Sequence, residues 1–488
     1  MSVTDVHDLD DVRLIAFYLP QFHPIPENDQ WWGKGFTEWT NVTRARPLFE
    51  GHYQPHLPSE LGFYDLRVPE VREEQARLAG EYGIHGFCYY YYWFGGRRLL
   101  ERPFEEVLAS GQPDFPFCLC WANETWTRRW DGSDREVLMA QVHSEEDDAR
   151  FVQSLFPAFR DPRYIRVQGR PLLIVYRASL LPDPARTIAI WARECRSAGI
   201  SPPFLLAALT FDVDDPKSYG FDGAVEFPPH QSRARRLTNA LRLTDLPHEG
   251  YVFDYADAAR SYLNRPEPEY PLFRAVMTGW DNTPRRQHRG YVFLGATPER
   301  YGEWLAEAVR QTRERHPPDR RLVFINAWNE WAEGAHLEPD QRYKRAYLEA
   351  TQEAMRRSTS SAGSLEPTSP ALVASEAIAL QRIDELFAQE ELEIRRHASA
   401  LVGHESRIEE LRDRLTALHN LRTDAIRILG EEIRRAVENG PAPALHEIGP
   451  VTLEVTARLS RGLDRVPAVK SALRAMIRKM LRSPNPRP

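Results

Sequence analysis

The chain has 488 residues, 42% of them hydrophobic and 11% aromatic, which is ample for a large core and too much for one small domain. Its formal net charge of -7 offers no basic field for nucleic acid, so nucleic-acid binding is excluded as a reading. Cys88, Cys118, Cys120 and Cys195 lack the paired spacing of a zinc site or disulfide framework, Met1 to Asp11 has no apolar signal core, and no run nears the roughly 20 apolar residues of a spanning helix, so a cytoplasmic setting is expected.

In chain order, eight short apolar runs alternate with longer helix-like stretches: Arg13 to Leu19, His85 to Trp93, Pro116 to Trp121, Pro171 to Tyr176, Phe204 to Thr210, Gly223 to Phe227, Arg274 to Trp280 and Leu322 to Trp328. Continuous Val, Ile, Leu, Phe and Tyr runs suit strands buried on both faces, and the alternation predicts an α/β fold, a (β/α)8 TIM barrel over residues 12–355. The first run is followed by Pro20-Gln21-Phe22-His23-Pro24, rigid and aromatic, where a dinucleotide fold would place a glycine-rich phosphate turn.

Residues 356–375, rich in Ser, Thr, Ala and Pro, read as a linker. Residues 376–439 then carry Leu380, Phe387, Ile394, Leu401, Ile408 and Leu415 at every seventh position, which predicts a helical region like a coiled coil, with a hairpin packed on itself as the other reading. A tail, 440–488, ends in a basic amphipathic helix near Pro467 to Leu481, suited either to an anionic membrane surface or to packing on the preceding helix. The partners expected from these segments are a second copy of the chain through the coiled coil and a peripheral membrane contact through the basic helix.

A barrel carries its site at the carboxyl ends of its strands, and there the chain sets carboxylates and amides among aromatic residues. The candidates for contact with a substrate are Tyr18, Gln21, His23, Glu38, Trp39, Tyr91, Trp93, Trp121, Asn123, Glu124, Trp126, Glu226, Trp280, Asp281, Asn329 and Trp331. Sugars present apolar C–H faces and hydroxyl rims, so stacking platforms beside hydrogen-bonding groups point to an oligo- or polysaccharide. Glu330 and Glu333 stand three apart after the last strand. A turn there would bring the two carboxyls together and split their pKa values, giving the acid and base that acetal cleavage needs. His52 and His56 lie in the loop Gly51 to Pro58 with no third ligand at a usual spacing, so neither a metal nor a cofactor is expected.

Five stretches carry a resemblance to a known family: Ala16 to Pro24, Trp31 to Trp39, Gly86 to Phe94, Cys120-Trp121-Ala122-Asn123-Glu124 and Asn326 to Gly334. Over about residues 12–350 the chain resembles the WbsX-like proteins, within the glycoside hydrolase family 99-like group associated with O-antigen and other surface polysaccharides. The resemblance implies retaining action on α-mannosides. Glu330 would be the base that assists attack by the substrate's own 2-hydroxyl, and Glu333 the general acid/base. Ala332 stands where the hydrolases of that group tend to have His. Two other readings stay open: a nucleotide-sugar glycosyltransferase, with Asp212-Val213-Asp214 holding a divalent cation, and an inert glycan-binding scaffold.

Overall fold

The computed structural model describes residues 12–128, 133–211, 215–237, 249–357 and 370–400, together with 415, 416 and 422. The core is a ring of eight strands: β1 (Arg13–Tyr18), β2 (Ile84–Phe94), β3 (Phe117–Trp121), β4 (Arg170–Val175), β5 (Phe204–Leu209), β6 (Gly223–Glu226), β7 (Leu272–Met277) and β8 (Leu322–Asn326). Each pairs in parallel with its neighbours in sequence, and β1 pairs with both β2 and β8, so the sheet closes into a barrel with no free edge. All eight runs anticipated from the sequence become these strands.

Helices between strands pack outside the ring, including Pro69–Glu81, Arg102–Ser110, Glu145–Ser154, Pro184–Ser197, Tyr255–Leu263 and Pro298–Arg315. Their starts follow local chemistry: Ser144, Asp183 and Thr297 each accept a hydrogen bond from a first-turn amide, and proline follows directly in two of the three. The β5–β6 connection has only the 3-10 turn Pro216–Tyr219 among its described residues. Inside the barrel, Phe17 of β1 meets Phe227, Phe324 and Tyr90 from three other strands or their ends, at ring separations of 4.8, 5.6 and 5.9 Å. The barrel is therefore a filled core whose mouth must do the chemistry.

Beyond the last barrel helix, Ala346–Arg357, the helix Pro370–Ala400 lies against the barrel. It begins six residues before the boundary expected from composition, because Val373 and Ala374 are already buried. Leu380, Ile383 and Phe387 are buried in the main core, so the first heptad positions pack on the chain's own barrel. Ile394 lies on the same helix, whereas Leu401, Ile408 and the basic amphipathic tail lie outside the described residues, as does Asp212-Val213-Asp214. Among the described residues no helix is long and apolar enough to cross a membrane.

Candidate active site

After β8 the chain makes a short antiparallel ladder, Asn329–Glu330 against Ala335–His336, closed by the 3-10 turn Trp331–Glu333. Gly334 ends the turn at φ +60, where a Cβ would come within 3.0 Å of Asp281 Cβ. Both the left-handed backbone and the close approach call for glycine. Asn329 pins the segment to β1: its Oδ1 accepts from the Leu19 amide at 2.7 Å and its Nδ2 donates to the Leu19 carbonyl at 3.0 Å. Trp331 stacks on His336 at 3.8 Å and donates from Nε1 to Glu338 at 2.6 Å. The turn is thus held on both sides, and it aims Glu330 and Glu333 at one point.

That point is a guanidinium that sequence reasoning missed. Arg285 reaches Glu38 at 3.2 Å, Glu330 at 3.0 Å and Glu333 at 2.7 Å through three different nitrogens. Three carboxylates share one cation in a site where the Glu38 and Glu330 side chains are 0% and 6% exposed. Burial pushes the Glu330 carboxyl up to about 8, against the pull of Arg285 and with a further push from Glu333. Glu333 is raised for the same first reason, burial. Burial also works against the charge of Arg285, but the three carboxylates outweigh it and hold the guanidinium protonated. The cluster therefore retains a proton on its acid pair near neutral pH, the condition for combined acid and base work.

Arg285 is set by the turn Thr283–Arg286, and that turn by Asp281. The Asp281 carboxylate accepts from His52 Nε2 at 2.6 Å, Gln54 Nε2 at 2.6 Å, and the Thr283 amide and hydroxyl at 2.9 and 2.6 Å. His52 Nδ1 accepts from the Leu48 amide, which leaves its Nε2 as the donor to Asp281. Burial opposes the charge of Asp281, yet His52 and these hydrogen bonds draw its pKa down to about 2. Asp281 is thus a fully engaged anchor for the arginine turn and not a free contact for substrate.

Aromatic rings stand beside the carboxylates. Tyr90 and Tyr92 of β2 are both held well above the ordinary phenol range, by burial first and then by the charge of Glu330, which puts them on the Glu330 side of the strand. Trp126 meets Tyr92 edge-on at 5.1 Å. Tyr176 feels Glu124 and Glu333 and contacts His230 Nε2 through its hydroxyl at 3.1 Å. Glu124, at the rim, pairs with Arg177 at 2.6 Å.

Other sequence candidates belong to the packing around the site. Tyr91 bonds Ser154 at 2.8 Å, and Trp93 donates to Asp147 at 3.1 Å, so both face the helix Glu145–Ser154. Successive strand residues point to opposite faces, which leaves Tyr90 and Tyr92 as the inward pair. Trp121 stacks on Phe151 at 4.2 Å in the same outer layer. Tyr18 donates to Gln75, which donates to the buried Glu338. Glu226 sits in a buried pair with Arg274 at 3.0 Å. Asn123 exchanges two hydrogen bonds with the Arg177 backbone, at 2.9 and 2.8 Å, and fastens two loops together. Trp39 donates to the Tyr64 carbonyl and packs on Trp331 at 5.7 Å. Gln21 is buried, and its carbonyl accepts from the Glu38 amide. His23 is buried, and burial lowers its pKa to about 4. Trp280 borders a separate pocket alongside Asp281.

Known proteins were compared with this chain in sequence and in structure. Two curated relatives, each described as uncharacterized protein WxcX, from Xanthomonas campestris pv. campestris strains B100 and ATCC 33913, are 53% identical over 344 residues. Those matches cover 70% of this chain and 50% of each relative, so the chain spans about half the length of the curated relatives it matches. Among solved structures, a glycoside hydrolase-like protein aligns with TM-score 0.46 and 14% identity, covering 73% of this chain and 96% of that one. A GH99 endo-alpha-mannosidase from Bacteroides thetaiotaomicron aligns with TM-score 0.45 and 15% identity, covering 72% and 99%. A family model described as Glycosyltransferase WbsX matches residues 14–351, the entire barrel, and the chain belongs to that family.

Proposed function

We propose that the barrel is a carbohydrate-active enzyme that breaks or transfers glycosidic bonds of α-mannoside type in surface polysaccharide metabolism, with Glu330 and Glu333 as its acid and base. The observation that carries this reading is the convergence of both carboxyls, beside tyrosines, on Arg285 at the carboxyl end of the barrel. Following the resemblance, the ionised Glu330 takes the proton of the sugar 2-hydroxyl as that oxygen attacks the anomeric carbon. The bond to the leaving oxygen breaks, and Glu333 protonates it. Water or a second sugar then opens the anhydro-sugar, restoring both protons. Ala332, fully buried in the turn, does not supply the contact that His would give at that position, so the preferred sugar would differ from that of the hydrolases.

Burial raises both carboxyls and the pair shares a proton, so base work by Glu330 needs that proton to rest on Glu333; the reverse assignment, with Glu330 as the donor, uses the same pair. Substrates with activated aryl leaving groups separate the two, because they relieve the need for the acid alone. Glu330→Gln and Glu333→Gln should each lower turnover of a natural glycoside by about 100- to 10,000-fold, and only the variant lacking the acid should recover on the aryl substrate. Turnover that requires a sugar nucleotide would instead favour glycosyl transfer, the activity named in the family description. Unchanged glycan binding without turnover on any substrate would favour a scaffold.

A further inference from the structure

We propose that His56, His336 and Asp340 form a binding site for a first-row divalent cation of the zinc class, joining the loop after β1 to the segment that carries the acid pair. His56 Nδ1 and His336 Nε2 lie 2.9 Å apart although 280 positions separate them in sequence. One ligand atom from each of the three residues falls within 4.8 Å of the others. Tetrahedral ligands at about 2.0–2.2 Å from a cation stand roughly 3.3–3.6 Å from one another, so the two rings part by a few tenths of an ångström and the Asp340 carboxylate closes by up to about 1.5 Å. Two imidazoles with one carboxylate suit zinc and its first-row neighbours and are a poor match for magnesium or calcium.

The surroundings orient each ligand. His336 Nδ1 lies 3.1 Å from the Glu338 carbonyl and must donate to it, which turns the Nε2 lone pair toward His56. The Trp331 ring stacks on His336 at 3.8 Å, and Tyr53 stacks on His56 at 4.2 Å. Asp340 accepts from the Tyr343 amide on one oxygen and from Tyr53 Oη at 3.3 Å on the other. Such outer partners are what fix a metal ligand's rotamer and tautomer. On binding, His56 need only move its proton from Nδ1 to Nε2, with none released.

A second observation points to a ligand in the same place. All three residues border a pocket with a cavity volume of about 80 Å³. Thr278 and Trp280, 2% and 9% exposed, border it too. Their Oγ1 and Nε1 are buried with no hydrogen-bond partner in the structure. The pocket thus offers a route in for the cation, and an oxygen-bearing ligand held in it would satisfy these donors.

The experiment is titration of the chelator-stripped full chain with Zn2+ by calorimetry and with Co2+ by visible absorption. One cation should bind per chain with the spectrum of a low-coordinate imidazole and carboxylate site, and Zn2+ should raise the unfolding temperature. His56→Gln and Asp340→Asn should each weaken binding by about 10-fold or more and abolish the thermal shift. Asp340 also caps the Tyr343 amide, so His56→Gln, at a half-buried position, is the variant that decides if Asp340→Asn fails to fold. Binding that survives in His56→Gln, or wild-type chain that gains no thermal shift from Zn2+, overturns the proposal. Neither readout involves turnover, so the site stands or falls apart from the role of Glu330 and Glu333.

Discussion

Arg285 holds a position that no single carboxylate does, since its three nitrogens each hold a different glutamate. Replacing it with methionine removes the charge that draws Glu330 and Glu333 down, and both should then bind protons more tightly. The arm of the pH–rate profile that reports the ionised base should move up by about one unit or more in Arg285→Met. Arg285→Lys, which keeps the charge and loses the planar fork, should fall between. A profile that does not move would show that the guanidinium is not coupled to the reacting pair. Glu330 gives a second residue-scale prediction. Its folded pKa, about 8, lies above the ordinary carboxylate value of 4.5, so the folded state binds the extra proton between those limits. The sign is that Glu330 weakens the fold progressively as pH rises through that window. Urea unfolding should therefore show Glu330→Gln gaining on wild type by on the order of 1–3 kcal/mol between about pH 5 and about pH 9.

At the scale of elements, the site is a set of loops fastened to one another rather than to solvent. Asp281 fastens the arginine turn to the loop holding His52 and Gln54. Its depressed pKa means that its contribution is present above about 3.8 and is lost as pH falls through about 2. Asp281→Asn should cost on the order of 2 kcal/mol at neutral pH and much less in strong acid, and should lower kcat by releasing Arg285. Equal loss at both pH values would mean the side chain serves only for shape. Sequence made the strands legible because continuous apolar runs such as Leu322-Val323-Phe324-Ile325 have few other uses. It could not tell which residues of β2 face inward. A strand buried on both faces shows no alternation, so Tyr91 and Trp93 looked as eligible as Tyr90 and Tyr92. The closeness of Glu330 and Glu333 was legible because both are local to one turn. Arg285, 45 positions before Glu330 and among other basic residues, carried no such signal. His336 and Asp340 were likewise invisible as partners of His56, since only the closed barrel brings the first and last loops together.

At the scale of the whole molecule, the helix Pro370–Ala400 ties the first heptad positions to the barrel. Gln381 accepts from the Gly51 amide at 2.6 Å, Glu376 pairs with Arg300 at 2.8 Å and Asp384 pairs with Arg342, so the helix joins the first loop to the helix Pro298–Arg315 and to the segment before Ala346–Arg357. Leu380, Ile383 and Phe387, each under 10% exposed, fill the seam between these polar contacts. A coiled coil between two chains would have to strip the same side chains from the barrel and open the loop that carries His52, the partner of Asp281. Leu380→Ala and Phe387→Ala should therefore each destabilise the barrel itself by about 2–5 kcal/mol, measured by denaturant unfolding at several protein concentrations. If this seam instead held two copies together, the loss would grow as the protein is diluted and the variants would shift in sedimentation from dimer to monomer. A loss independent of concentration assigns the helix to its own barrel, and with it the rigidity of the loop on which Arg285 depends.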